Sequence, residues 1–248
     1  MHDITVDFLK EEDYACDIMI EGLPGVGQVG KLVAEHLIEE LGAEKIADIH
    51  SIFFPPQVLL SETGVAYLPS NEIYRYEGEN HSIMFLVGDF QSTSSEGHYL
   101  LTDTYLEIAE KLGVKRIYTL GGYGVGHLIE DIRVLAAVND EKLKEEVENA
   151  GGIFTANEPG GGILGASGLL LGMGARRDIE GICLMGETSG YLVDPKSSNC
   201  VLSILSKLIG IDVDATKLQE RAEEMESFVE RIKESEKSTS EEELSYIG

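Results

Sequence analysis

The chain has 248 residues, 43% of them apolar, and its 45 acidic against 19 basic side chains leave a formal net charge of −26. Length and apolar content fit one large α/β domain with a full core. The acidic excess excludes the positive footprint that nucleic acid requires and opposes docking on anionic membranes; it suits a salt-rich cytoplasm or a basic protein partner.

Three unevenly spaced cysteines, Cys16, Cys183 and Cys200, make no disulfide framework and point to a reducing, cytoplasmic setting. The opening Met1-His-Asp-Ile-Thr does not read as a signal peptide, and no apolar run reaches membrane length.

Residues 1–15 form a lead-in with an edge strand through Ile4–Leu9. Ile18, Met19 and Ile20 are a short apolar run, the mark of a buried strand. A turn at Gly22-Leu-Pro-Gly25 follows, and Val29, Leu32, Val33, Leu37, Ile38 and Leu41 then recur at helical spacing until Gly42. This strand–turn–helix begins a βαβ unit. Within it, Gly25, Gly27 and Gly30 fit the dinucleotide fingerprint G-x-G-x-x-G, in which backbone amides and the positive helix end cradle a pyrophosphate. The same glycines serve equally to allow a tight turn and close helix–sheet packing. A P-loop reading fails at Leu32, where a hydroxyl is needed for magnesium.

Lys45–Phe54 alternates as a second strand, and Phe54-Pro-Pro-Gln57 breaks it. Val58–Ser61, Val65–Leu68 and Glu72–Tyr76 suggest an inserted antiparallel hairpin region, and Ser82–Val87 a central strand. A helix to Leu112, capped at Ser94 or Ser95, precedes a strand at Val114–Leu120. Beyond them come strands at Arg133–Val138, Gly152–Thr155 and Gly181–Met185, and helices at Glu141–Ala150, Ile163–Met173 and Pro195–Ile209. The alternation predicts a three-layer α/β sandwich: a mixed, largely parallel sheet with helices on both faces.

Four glycine-rich loops, 22–30, 88–97, 121–127 and 186–190, are expected at strand ends, where ligands collect in open α/β sheets. If they converge, Asp89, Glu96, His98, His127, Glu187 and Ser189 rim a pocket capable of acid–base chemistry. The other reading makes them surface loops whose polar groups cap helices. The scattered histidines give no metal-ligand spacing.

Past Ile211 the character changes. Leu218, Ala222, Met225, Val229 and Ile232 form a two-heptad seam, to be packed on the chain's own domain or against a neighbouring subunit. The expected organisation is an α/β domain over 1–212, an amphipathic helix over 213–234 and a flexible acidic tail over 235–248. Leu244-Ser-Tyr-Ile-Gly248 restores apolar residues after the charged tether, the layout of a docking peptide.

With Glu21-Gly-Leu-Pro-Gly-Val-Gly-Gln-Val-Gly-Lys31, Phe54-Pro-Pro-Gln57, Gly88-Asp-Phe-Gln91, Gly121-Gly-Tyr-Gly124 and the acidic tail in view, the chain resembles the archaeal branch of the proteasome assembly chaperone family. The resemblance spans roughly residues 15–210 and the terminus. It implies a fold similar to nucleoside phosphorylases, no established catalytic residues, no cofactor, homo-oligomerisation, and ATP-independent assistance to proteasome α subunits. Several proteasome-binding proteins end in hydrophobic–tyrosine–any residue; here Tyr246 is third from the end, so only Leu244, Tyr246 and Ile247 carry over as the partner-binding patch. The rival reading is a nucleoside- or nucleotide-binding protein or enzyme that uses Gly25, Gly27, Gly30, Asp89, His127 and Glu187.

Overall fold

A computed structural model describes residues 3–10, 12, 14–156, 160, 162–225 and 227. Among the described residues the strands and the helices up to Ile209 are ordered β1 (Ile4–Phe8), β2 (Ile18–Glu21), α1 (Val29–Leu41), β3 (Glu44–Ser51), β4 (Leu59–Leu60), β5 (Ala66–Tyr67), β6 (Asn71–Glu77), β7 (Ser82–Gly88), α2 (Ser95–Leu112), β8 (Arg116–Gly124), β9 (Val134–Val138), α3 (Lys144–Ala150), α4 (Gly165–Ala175), β10 (Glu180–Thr188) and α5 (Pro195–Ile209). Eight strands form one sheet in the order β1-β3-β6-β7-β2-β8-β10-β9. Its centre, β7-β2-β8-β10, is parallel, and the pairings on either side are antiparallel. Strand β3 runs the same way as these four, so five strands end at one edge of the sheet.

The pleat deals alternate residues to two cores. Ile18, Ile20, Ile83 and Phe85 face α1 and α5, whereas Met19, Met84 and Leu86 face α2 and α4. The central strands are buried on both faces, which explains their unbroken apolar runs. Ser94 caps α2 by accepting from the Gly97 amide at 3.0 Å. After a break at 210–215, residues 216–225 form a further helical stretch. Leu218 joins the core beside α1, His36 Nε2 lies 2.7 Å from the Asp214 carbonyl, and Lys217 reaches Glu39 and Glu40. The start of the predicted seam is thus packed on its own domain, while Val229, Ile232 and the tail lie outside the described residues. No helix among the described residues is long and apolar enough to cross a membrane.

Four expectations change. The stretch 121–124 is not loop: β8 continues to Gly124, paired with β10, which itself runs to Thr188. Glycine there permits contact rather than flexibility, since a Cβ on Gly122 would stand 2.2 Å from the Val26 carbonyl. Strand β6 belongs to the main sheet, and only β4 and β5 form a separate hairpin. Residues 152–155 contribute an isolated bridge at Ile153 to Leu135 in place of a strand. The helix expected from Ile163 begins at Gly165.

A buried polar pair pins the sheet to α2. The Tyr105 hydroxyl donates to Asn71 Oδ1 at 2.5 Å, and Asn71 Nδ2 donates to the Phe90 carbonyl at 2.9 Å. Both side chains are fully enclosed. Tyr105→Phe removes the donor and leaves a buried amide oxygen orphaned, so urea unfolding should show a loss of about 1–3 kcal/mol with an unchanged m-value.

Candidate functional site at the strand ends

The sequence motifs meet at the edge where the parallel strands end. After β2 the chain makes a tight turn whose backbone must take a left-handed conformation at Gly27 (φ 63°) and even at Gln28 (φ 54°). Helix α1 then starts in direct contact with β8: a Cβ on Gly30 would lie 2.1 Å from the Leu120 carbonyl. Gly27 abuts Thr188, and its carbonyl accepts from the Asp194 amide at 2.9 Å. Gly25 has no such close neighbour. Two of the three fingerprint glycines therefore sit where backbone and neighbouring strand meet without room for a side chain.

The Gly88–Gln91 segment is a brace. Asp89 Oδ2 accepts from the Ser70 amide at 3.1 Å while the Asp89 amide donates to the Ser70 carbonyl at 3.0 Å, tying the end of β7 to the start of β6. Gln91 donates from Nε2 to the Pro24 carbonyl at 2.8 Å and accepts the Ala166 amide at 3.0 Å. The second bond satisfies an N–H of the first turn of α4, whose own N-cap residue, Leu164, offers no side-chain acceptor. Lys31 donates to the Gly88 carbonyl at 3.0 Å.

Glu187 is buried, and the guanidinium and backbone amide of Arg133 hold it, with Nε–Oε1 at 3.0 Å. The Arg133 contacts keep its carboxyl below the usual range. Its geometry is that of a clamp between β10 and the start of β9. His127 is exposed on the loop after β8. Asp89 and Glu187 belong to strands three spacings apart, roughly 14 Å at about 4.8 Å per spacing, so their carboxylates do not form one acid–base pair. The cysteines are free, and burial pushes Cys16 up to about 11 and Cys183 up to about 12. Both remain thiols at neutral pH.

Glu21 is the residue that pattern reading passed over. The pleat puts it on the same face as Met19, pointing between α2 and α4, and it is fully enclosed. Oε1 accepts the Leu23 amide at 3.0 Å, and Oε2 accepts the Ser167 hydroxyl at 2.8 Å. Burial pushes its carboxyl up to about 7, against the lowering pull of those donors. A glutamate closing an apolar strand, Ile-Met-Ile-Glu, was the available signal; the depth of its burial needed α4, from far along the chain.

A carboxyl raised in the folded state holds its proton after the unfolded chain has lost it. Its penalty is therefore absent below about pH 4.5, grows with rising pH, and is complete above about pH 7. Relative to wild type, Glu21→Gln should gain stability across that window, on the order of 3 kcal/mol at most. Urea titrations of both proteins from pH 4 to 8 check this; a constant difference across the range would refute the assignment.

The family model described as "PAC2 family" matches residues 19–233. Uncharacterized protein MJ1210 of Methanocaldococcus jannaschii is 40% identical over 240 residues, covering 93% of this chain and 92% of that one. Among solved structures, Pyrococcus furiosus PbaB, an archaeal proteasome activator, superposes with a TM-score of 0.88 at 39% identity over 94% of this chain and all (100%) of that one. Pyrococcus furiosus PbaA, an archaeal homolog of proteasome-assembly chaperone, gives 0.79 at 27% identity over 99% and 98%.

Proposed function

The chain belongs to the PAC2 family, and on that premise we propose that it is a cytoplasmic, chaperone-like protein that binds proteasome α subunits without ATP. The likeness along the full length to PbaB and PbaA, both described in relation to the proteasome, is the observation that carries the reading. In this reading the body self-associates and holds several tails in common. Weak contacts from Leu244, Tyr246 and Ile247 then add through effective concentration, which can raise overall binding by about 10²–10⁴-fold over one tail.

The groups at the strand ends support a binding body over an enzyme. Asp89 and Glu187 spend their carboxylates on backbone and arginine, and two fingerprint glycines spend their freedom on packing. A second reading, direct activation of the assembled proteasome, is favoured by the higher identity to PbaB than to PbaA.

Co-purification with α subunits, using the full chain and a chain lacking Leu244–Gly248, tests the proposal. The full chain should co-elute and the shortened one should not, with its far-ultraviolet circular dichroism unchanged. Equal co-elution would overturn the role of the tail. Particle yield from separate α and β subunits, set beside peptide hydrolysis by preassembled particles, separates assembly from activation.

A further inference from the structure

One end of the molecule is apolar in a way the rest is not. Among the described residues, every large exposed apolar side chain except Leu9 and Ile153 lies at the end where the parallel strands finish. The densest part is the segment between β3 and β6. There the β4–β5 hairpin stands apart from the main sheet, with Leu60 67% and Val65 64% exposed and Val58, Tyr67 and Leu68 also open.

The hairpin is small, each strand two residues long. Ser61 and Val65 bond through their backbones at 2.9 Å, and the Ser61 hydroxyl meets Thr63 at 2.9 Å. A lone two-stranded hairpin is marginal in water, and one showing apolar side chains is more so. Its root is firm, however. Phe54 is buried, and the Phe53 carbonyl accepts from the Thr93 amide at 2.9 Å, ahead of α2. Beside the root lies a groove of about 730 Å³ walled by Ile52, Phe54, Pro55, Pro56, Leu68 and Pro69. That size falls in the range, roughly 300–1,000 Å³, of cavities that enclose a compact apolar group.

Charge selects the occupant. Glu62 is the sole charged residue in 52–69, eighteen positions of a chain that is 26% charged. Two copies carrying −26 each repel through most of their surfaces. They approach most readily through a patch of low charge, and this segment carries Glu62 alone, with Asp3 at the groove's rim, where its carbonyl accepts the Ile52 amide at 3.0 Å. A projecting apolar tip next to an apolar groove on one segment is also what a two-fold contact requires, since each copy must offer both halves. The far half of edge strand β1 is a poorer candidate, because Asp7 places an exposed acid there.

We infer that the β4–β5 hairpin and the groove at its root form the self-association surface, with the hairpin of a second copy seated in the groove and the exchange reciprocated. This rests on the self-association invoked above and assigns it a place.

Sedimentation equilibrium of the full chain tests it. Wild type should sediment as a multimer, and Leu60→Glu/Tyr67→Glu should weaken association at least tenfold. Leu9→Glu, at the opposite end of the body, should leave the mass unchanged. Val65→Lys, read the same way, serves if circular dichroism shows the double variant unfolded. A multimer that survives these charges overturns the surface assignment but leaves self-association and proteasome binding standing. A monomeric wild type overturns the surface and the multivalent part of the proposed function together. Intact self-association with lost α-subunit co-elution would assign the hairpin to the proteasome instead, and would also overturn the inference.

Discussion

The backbone of the first turn of α1 rests on the backbone of β8 with nothing between them. Gly30 faces the Leu120 carbonyl, Gly122 faces the Val26 carbonyl, and Gly27 faces Thr188. Any side chain at these points would push helix and sheet apart, and overpacking of this kind typically costs about 1–3 kcal/mol. From that contact follow the left-handed turn before α1, the seating of α5 through Asp194 and Ser198, and the depth to which Glu21 is carried.

Around this contact the polar residues behave as fasteners. Asp89 links β7 to β6, Gln91 links the turn to α4, Arg133 and Glu187 link β9 to β10, and Asn71 with Tyr105 links the sheet to α2. A sheet edge at which strands simply stop leaves amides and carbonyls unpaired, and each one buried without a partner is costly. Side chains that satisfy them convert a ragged edge into a stiff plate. Glu21 is the exception that works against stability at neutral pH, since burial opposes its charge while the Leu23 amide and the Ser167 hydroxyl only partly support it. Such a group persists when the surrounding structure over-determines its position.

The proposed function draws on a stiff plate with apolar side chains on its outer rim. The groove and the exposed first turn of α2 lie on a rigid base, so little conformational entropy is lost when they are covered, whereas the small β4–β5 hairpin loses more. The net charge of −26 opposes close approach of copies through the acidic remainder of the surface. In the proposed function the body sets how many chains gather and the tail what they gather upon.

Much of this was legible from residue order. The apolar runs at Ile18–Ile20 and Ser82–Val87, the helical spacing after Val29 and the Ser94 cap depend on local chemistry, and each is found where the periodicity puts it. The glycine stretches were the weak point. In sequence, Gly121-Gly-Tyr-Gly124 has the composition of a loop, but it is strand because it pairs with β10, and glycine is needed at Gly122 because the Val26 carbonyl, far away along the chain, lies against it. The same limit hid Glu21, whose burial depends on Ser167 and Tyr105, and the clamp on Glu187, whose arginine is 54 residues distant. By itself the sequence determined the alternating elements, the two-sided burial of the central strands and the acidic surface, because these follow from period and composition. Only the tertiary structure decided which glycines are contacts, which carboxylates are fasteners and which apolar residues are left outside, because those properties belong to pairs of residues that folding alone brings together.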